Sequence, residues 1–137
     1  MNYKNGKEIN IIYFNFNKNK LRLFGDKFVE NNKDKCKIIY KEKEIELNSY
    51  IIIRGTVNIN NIEIKLRIDK DISNMSYMFY ECEDLKSLSD ISQLFTNKVM
   101  DMSFMFYGCK NIKLINISKL ETSNVKIWVF YFIIVKI

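Results

Sequence analysis

Asn74-Met-Ser-Tyr-Met-Phe-Tyr-Glu-Cys82 returns almost intact as Asp101-Met-Ser-Phe-Met-Phe-Tyr-Gly-Cys109, 27 residues further on. Downstream, Leu88-Ser-Asp-Ile-Ser92 returns as Leu114-Ile-Asn-Ile-Ser118, and Thr96 to Val99 as Thr122 to Val125, now 26 residues apart. One residue has therefore been dropped between Cys109 and Leu114. A repeat of this length with two anchors per unit has the size of one coil of a stacked-repeat protein. Met75, Met78, Phe79 and Cys82 fall at i, i+3, i+4 and i+7, and Met102, Met105, Phe106 and Cys109 repeat the pattern. This spacing predicts a short amphipathic helix near 75–81 and another near 102–108. Asn74 and Asp101 stand where a side-chain oxygen can cap such a helix. Leu85, Leu88 and Ile91, and then Ile112, Leu114 and Ile117, supply the apolar residues of a strand after each helix. These fourteen apolar positions are the expected repeat core, and each, once buried, contributes roughly 1.5–3 kcal/mol.

The unit resembles the BspA-like leucine-rich repeats of bacterial and protist surface proteins, in which MSxMFxxC segments followed by a DIS strand recur in long arrays. The matching residues run from about Ile72 to Val125, and the stretch Leu21 to Tyr40 is similar to a segment that precedes such arrays in protist members. The resemblance implies a mixed α and β fold, with a β-rich N-terminal cap followed by a short leucine-rich-repeat-like solenoid of helix–strand coils. It also implies adhesion or protein interaction through a repeat surface, with no catalytic residues.

Upstream, residues 9–17 and Leu21 to Phe24 read as strands joined by a turn at Lys18-Asn-Lys20. Asp26 can cap a short helix through Glu30. Cys36 to Tyr40 and Glu44 to Leu47 read as a hairpin, and Tyr50 to Ile53 and Val57 to Ile68 as further strand. The expected division is a β-rich cap over 1–68, repeat coils over 69–125, and an atypical hydrophobic tail over 126–137. After Val125 a third repeat is expected, but Lys126 to Ile137 does not supply one. An A/T-rich back-translation of the tail, read in a neighbouring frame, restores an Asn-Met…Cys unit, so a frameshift that truncated a longer array is expected. A hydrophobic terminal strand or interfacial anchor is the alternative. Either way an uncharged β-prone end invites self-association.

The chain has 137 residues, one domain's worth, and a formal charge of +6. Residues 1–68 carry 14 basic and 8 acidic side chains and the remainder 8 of each, so the excess lies in the first half. The chain lacks Ala, Pro and His while Lys, Asn and Ile abound, which is the signature of A/T-rich codons before it is a signature of function. Lys33, Lys35, Lys37, Lys41 and Lys43 alternate with acidic and apolar residues, as on a solvated strand face. Nucleic acid or another anionic surface bound through residues 1–68 is thus the second functional reading, after an unidentified protein partner. No run reaches the roughly 20 apolar residues of a membrane span, and no secretory signal is legible, which leaves the compartment open.

Enzymatic chemistry has little to work with. Without His, the triads that use it as base are excluded, and Gly6, Gly25, Gly55 and Gly108 are too scattered for a phosphate loop. The aligned Cys82 and Cys109 admit a disulfide or metal reading, but equivalent positions rarely meet disulfide geometry, and two thiols without His make a poor zinc site. Small buried core residues are the preferred reading for both and for Cys36. No cofactor or metal is expected.

Overall fold

The computed structural model describes residues 6–16, 18–54, 60–89, 91–94, 97–112, 115 and 122–126. Strand β1 (Lys7–Phe14) alternates buried Ile9, Ile11 and Tyr13 with exposed or half-buried neighbours, as a strand with one face in the core must. β6 (Asn61–Ile68) does the same with Ile62, Ile64 and Leu66. The two pair antiparallel with Ile9 opposite Leu66, Ile11 opposite Ile64 and Tyr13 opposite Ile62, so six core side chains meet across one ladder. β3 (Cys36–Tyr40) adds to the far side of β6 and β4 (Lys43–Glu46) to β3, while β7 (Leu85–Leu88) adds to β1, giving the order β4-β3-β6-β1-β7. A shift in register between Ile12 and Tyr13 lets β7 fit along β1. β2 (Lys20–Arg22) and β5 (Tyr50–Ile52) form a separate two-stranded ribbon. The one α-helix among the described residues, α1 (Asp26–Asn32), is seven residues long; Ile91–Leu94 is a 3-10 turn.

The β3–β4 hairpin turns on Lys41 and Glu42, with φ of 49° and 63°, the geometry of a tight two-residue turn usually given to Asn-Gly. Asp26 does not cap α1. The capping position is Gly25, with no side-chain hydrogen bond, and Asp26 instead accepts a hydrogen bond from Arg22 at 3.1 Å.

The helix–strand solenoid expected over the repeat does not form; the protein is mainly antiparallel β-sheet. Residues 76–81 and 103–108 are runs of turns, and Tyr77, Glu81, Phe104 and Gly108 have φ of 58°, 57°, 54° and 77°, which no right-handed helix contains. The reason lies in the backbone N–H groups. In a helix each would donate four residues back. Here Met75, Tyr77, Phe79 and Glu81 donate across to the carbonyls of Asp101, Ser103, Met105 and Tyr107, at 2.8, 2.9, 2.8 and 2.6 Å. The two copies therefore lie side by side in parallel register, with an isolated bridge between Asn74 and Asp101. A left-handed residue every fourth position returns the chain to the same side, which is why the buried set has helix-like spacing without a helix. The strand after the first copy, β7, joins β1 and not the second copy, so one core includes residues from both halves of the chain. Val57, Leu114, Ile117 and the tail after residue 126 lie outside the described residues.

Candidate functional site

The repeat positions divide cleanly by burial. Met75, Met78, Phe79, Cys82, Leu85, Ile91, Met102, Met105, Phe106 and Cys109 are buried, and Leu88 and Ile112 are partly so. Asn74 and Asp101 cap turns and not helices. The Oδ1 of Asn74 accepts from the N–H of Ser76 at 3.0 Å and from its hydroxyl at 2.5 Å; the Oδ1 of Asp101 treats Ser103 alike at 2.9 and 2.7 Å. The same carboxamide or carboxylate chemistry thus fixes the start of each copy.

Three thiols are buried and unpaired. Burial pushes Cys36 and Cys109 up to about 12. Cys82 is also raised, by burial first and then by its neighbour Cys109. The Cys109 thiol donates to the carbonyl of Phe79 at 3.0 Å, an interior role. Among the described residues no group of three or more Cys, Asp or Glu is placed to hold a metal ion.

Beside the buried stripe runs an aromatic ladder. Tyr77 stacks on Phe104 with ring centroids 5.1 Å apart, Phe79 on Phe106 at 5.6 Å, and Tyr80 on Tyr107 at 5.1 Å with planes 13° apart. Phe79 and Phe106 are interior, whereas Tyr77, Tyr80, Phe104 and Tyr107 are half-buried and form a strip two rings wide at the surface. The off-stripe aromatics were not among the expected site residues. Their signal was available, since each recurs 27 residues on at a position the core does not use.

On the side away from the second copy, the first copy abuts α1. The N–H of Gly25 donates to Met78 at 3.0 Å, and the amide of Asn32 donates to Asn74 at 3.0 Å, so two outward carbonyls of the first copy are satisfied. Where this joint meets the β2–β5 ribbon, Arg22, Asp26, Lys27, Tyr77, Tyr80 and Glu81 line a cleft of about 320 Å³. Arg22 is held there by the Phe24 carbonyl at 3.2 Å, by Asp26 and by the Tyr50 hydroxyl. Hydrogen bonds from Ser49 and Arg22 keep the Asp26 carboxyl below its ordinary value. The Lys27 ammonium lies 4.6 Å from the Tyr77 ring centre.

Several basic residues of the first half are held in ion pairs. Lys37 meets Glu46 at 2.6 Å, Arg67 meets Glu44 at 3.0 Å and Asp69 at 2.7 Å, and Lys18 meets Asp84 at 2.9 Å. Among the described residues no helix is long and apolar enough to cross a membrane.

Fold and surface together define an antiparallel β protein carrying a stacked pair of turn repeats. Residues 53–133, more than half of the chain, match the family described as "Mycoplasma protein of unknown function, DUF285", and the chain belongs to that family. No curated protein and no solved structure matches it.

Proposed function

We propose that this chain is a protein-interaction or adhesion module that works through its repeated surface, in the manner of the BspA-like surface proteins its MSxMFxxC units resemble. The observation that carries this reading is the half-buried strip of Tyr77, Tyr80, Phe104 and Tyr107, repeated at the spacing of one copy. Tyrosine-rich patches suit partner binding because each ring offers a large apolar area and a polar tip at little conformational cost. Anionic polymers are a poorer fit. Several cations of residues 1–68, among them Lys37 and Arg67, stand beside carboxylates that would repel phosphate.

The test is capture of partners on the immobilised full chain, with and without nuclease, across a salt series. Capture is expected to survive nuclease, to change only a few-fold with salt, and to be lost in Phe104→Ser and Tyr107→Ser. A binder making six or more phosphate contacts would instead lose roughly 10³–10⁵ in affinity between about 50 and 200 mM salt. Nuclease-sensitive capture, or capture that both variants retain, would refute the reading.

A further inference from the structure

The cleft between α1 and the first repeat copy is built for a ring-shaped, hydroxyl-bearing ligand, and the geometry points to a saccharide site with Tyr80 as its platform. Tyr107 covers one face of the Tyr80 ring. Tyr77 leans against the same ring at 57°, with centroids 5.1 Å apart, and the half-buried Tyr80 lines the cleft. The neighbouring Tyr77 is more fully engaged, stacked on Phe104 and with the Lys27 ammonium 4.6 Å from its ring centre. Among the described residues no cation is placed over Tyr80, so of the two cleft tyrosines it is the one that can offer ring surface to a flat apolar face.

The edge groups choose among ligands that have such a face. Arg22 and Lys27 can only donate hydrogen bonds, and ionised Asp26 and Glu81 can only accept them. Two positive and two negative groups leave the cleft without net charge. A nucleotide's phosphate would meet two carboxylates beside the two cations, so the cleft offers it no net attraction. A phenylalanine ring would cover those carboxylates and offer them no donor, and an indole would offer only its one N–H. Sugar hydroxyls both donate and accept, so a pyranose can meet cations and carboxylates alike at the edges of the cleft while its C–H face lies on Tyr80. A volume of about 320 Å³ sits at the lower end of ligand pockets, the size for one or two sugar rings.

Glu81 supplies an independent argument. Its backbone has φ of 57°, a conformation that disfavours side chains, and its equivalent in the second copy is Gly108, which adopts φ of 77° freely. Gly108 also clears space, since a Cβ there would come within 3.2 Å of both Cα and Cγ of Glu81. The first copy therefore keeps a carboxylate where the backbone favours glycine, and the second copy makes room for it. Among the described residues Glu81 has no ion-pair partner, so its charge is available to a ligand.

This site does not depend on the protein-interaction reading and can fail separately from it. The full chain is titrated with methyl glycosides of glucose, galactose and mannose, with N-acetylglucosamine, and with lactose, cellobiose and chitobiose, using saturation-transfer NMR and tyrosine fluorescence. Adenosine monophosphate and N-acetyltryptophanamide are run beside them. At least one sugar is expected to bind saturably in the millimolar range with little dependence on salt. Tyr80→Leu and Glu81→Gln should each weaken it about tenfold or more, while Lys65→Ser on the outer sheet face leaves it unchanged. Melting curves show whether Tyr80→Leu has folded; should it not, Glu81→Gln and Asp26→Asn decide. Failure of every sugar to saturate, tighter binding of the nucleotide or the indole, or undiminished binding by the folded variants would overturn the assignment.

Discussion

Replacing Gly25 by alanine tests the joint on which the cleft and the first repeat copy both rest. The backbone there has φ of −69° and ψ of 146°, which alanine adopts without strain, so any effect comes from space. A Cβ at Gly25 would land on the carbonyl oxygen of Tyr77, with the Tyr77 carbonyl carbon 3.2 Å away and the Cβ of Tyr80 at 3.0 Å. These are backbone and stem atoms that cannot swing aside. Either α1 moves off the first copy or the copy moves off the sheet. Overpacking of this kind costs about 1–3 kcal/mol, and displacing the Gly25 donor from the Met78 carbonyl adds about 1 kcal/mol. The lower chain entropy of unfolded alanine returns about 0.4–1 kcal/mol, so the net loss is about 1–3.5 kcal/mol, centred a little above 2. Urea unfolding followed by circular dichroism is the assay. With a slope of about 1.5 kcal/mol per molar, the midpoint should fall by roughly 1.5 M at unchanged slope. Gly6→Ala is the control. Its Cβ would meet Arg67 Cγ and Asp69 Oδ1, both at 2.8 Å, side-chain atoms that can shift at the expense of the surface Arg67–Asp69 ion pair, a smaller cost of about 0–1 kcal/mol. A Gly25→Ala protein as stable as Gly6→Ala would show that the close approach of α1 to the first copy is not part of the native structure.

Met105 is 1% exposed on the stripe shared by the stacked copies, so Met105→Asp should lose about 3–5 kcal/mol in urea unfolding, whereas Met105→Leu should lose less than about 1.5 kcal/mol. A Met105→Asp variant as stable as wild type would place that face outside the core. The thiols predict a pH dependence. Burial raises Cys36 and Cys109 from their ordinary value of 9.0 to about 12, so between those limits the unfolded chain binds fewer protons than the folded one. Stability attributable to these groups is therefore constant below about pH 9 and falls as pH rises toward 12, by about 1.4 kcal/mol per thiol at one unit above 9. Native-state alkylation at pH 8 should likewise be slow at all three cysteines until denaturant is added. Rapid alkylation of the folded protein, or a stability that rises from pH 9 to 10.5, would contradict the burial.

What could be read from residues alone tracks how local the physics is. Ile9, Ile11 and Tyr13, or Ile62, Ile64 and Leu66, alternate because a strand with one buried face admits no other order, and β1, β6 and the β3–β4 hairpin appear close to where that order places them. The repeat was legible as a repeat, but its backbone was not, because two structures share one spacing. A seven-residue helix over 75–81 would close only about three internal hydrogen bonds and is too short to hold itself. The stacked copies close four between Met75 and Tyr107, and they also stack three pairs of rings. Local spacing is silent about that competition, since the winning partner lies a whole repeat away. Asn74-x-Ser76 and Asp101-x-Ser103 were a signal for turns, as Asx side chains bind the amide two residues on. The cleft was hidden more deeply. It joins Arg22, Asp26 and Lys27 to Tyr77, Tyr80 and Glu81 across more than fifty residues of chain, and what brings them together is the absence of a side chain at Gly25. A missing Cβ carries no periodicity and no charge. Its meaning appears only once the carbonyl of Tyr77 is seen to occupy the space that a side chain would have filled.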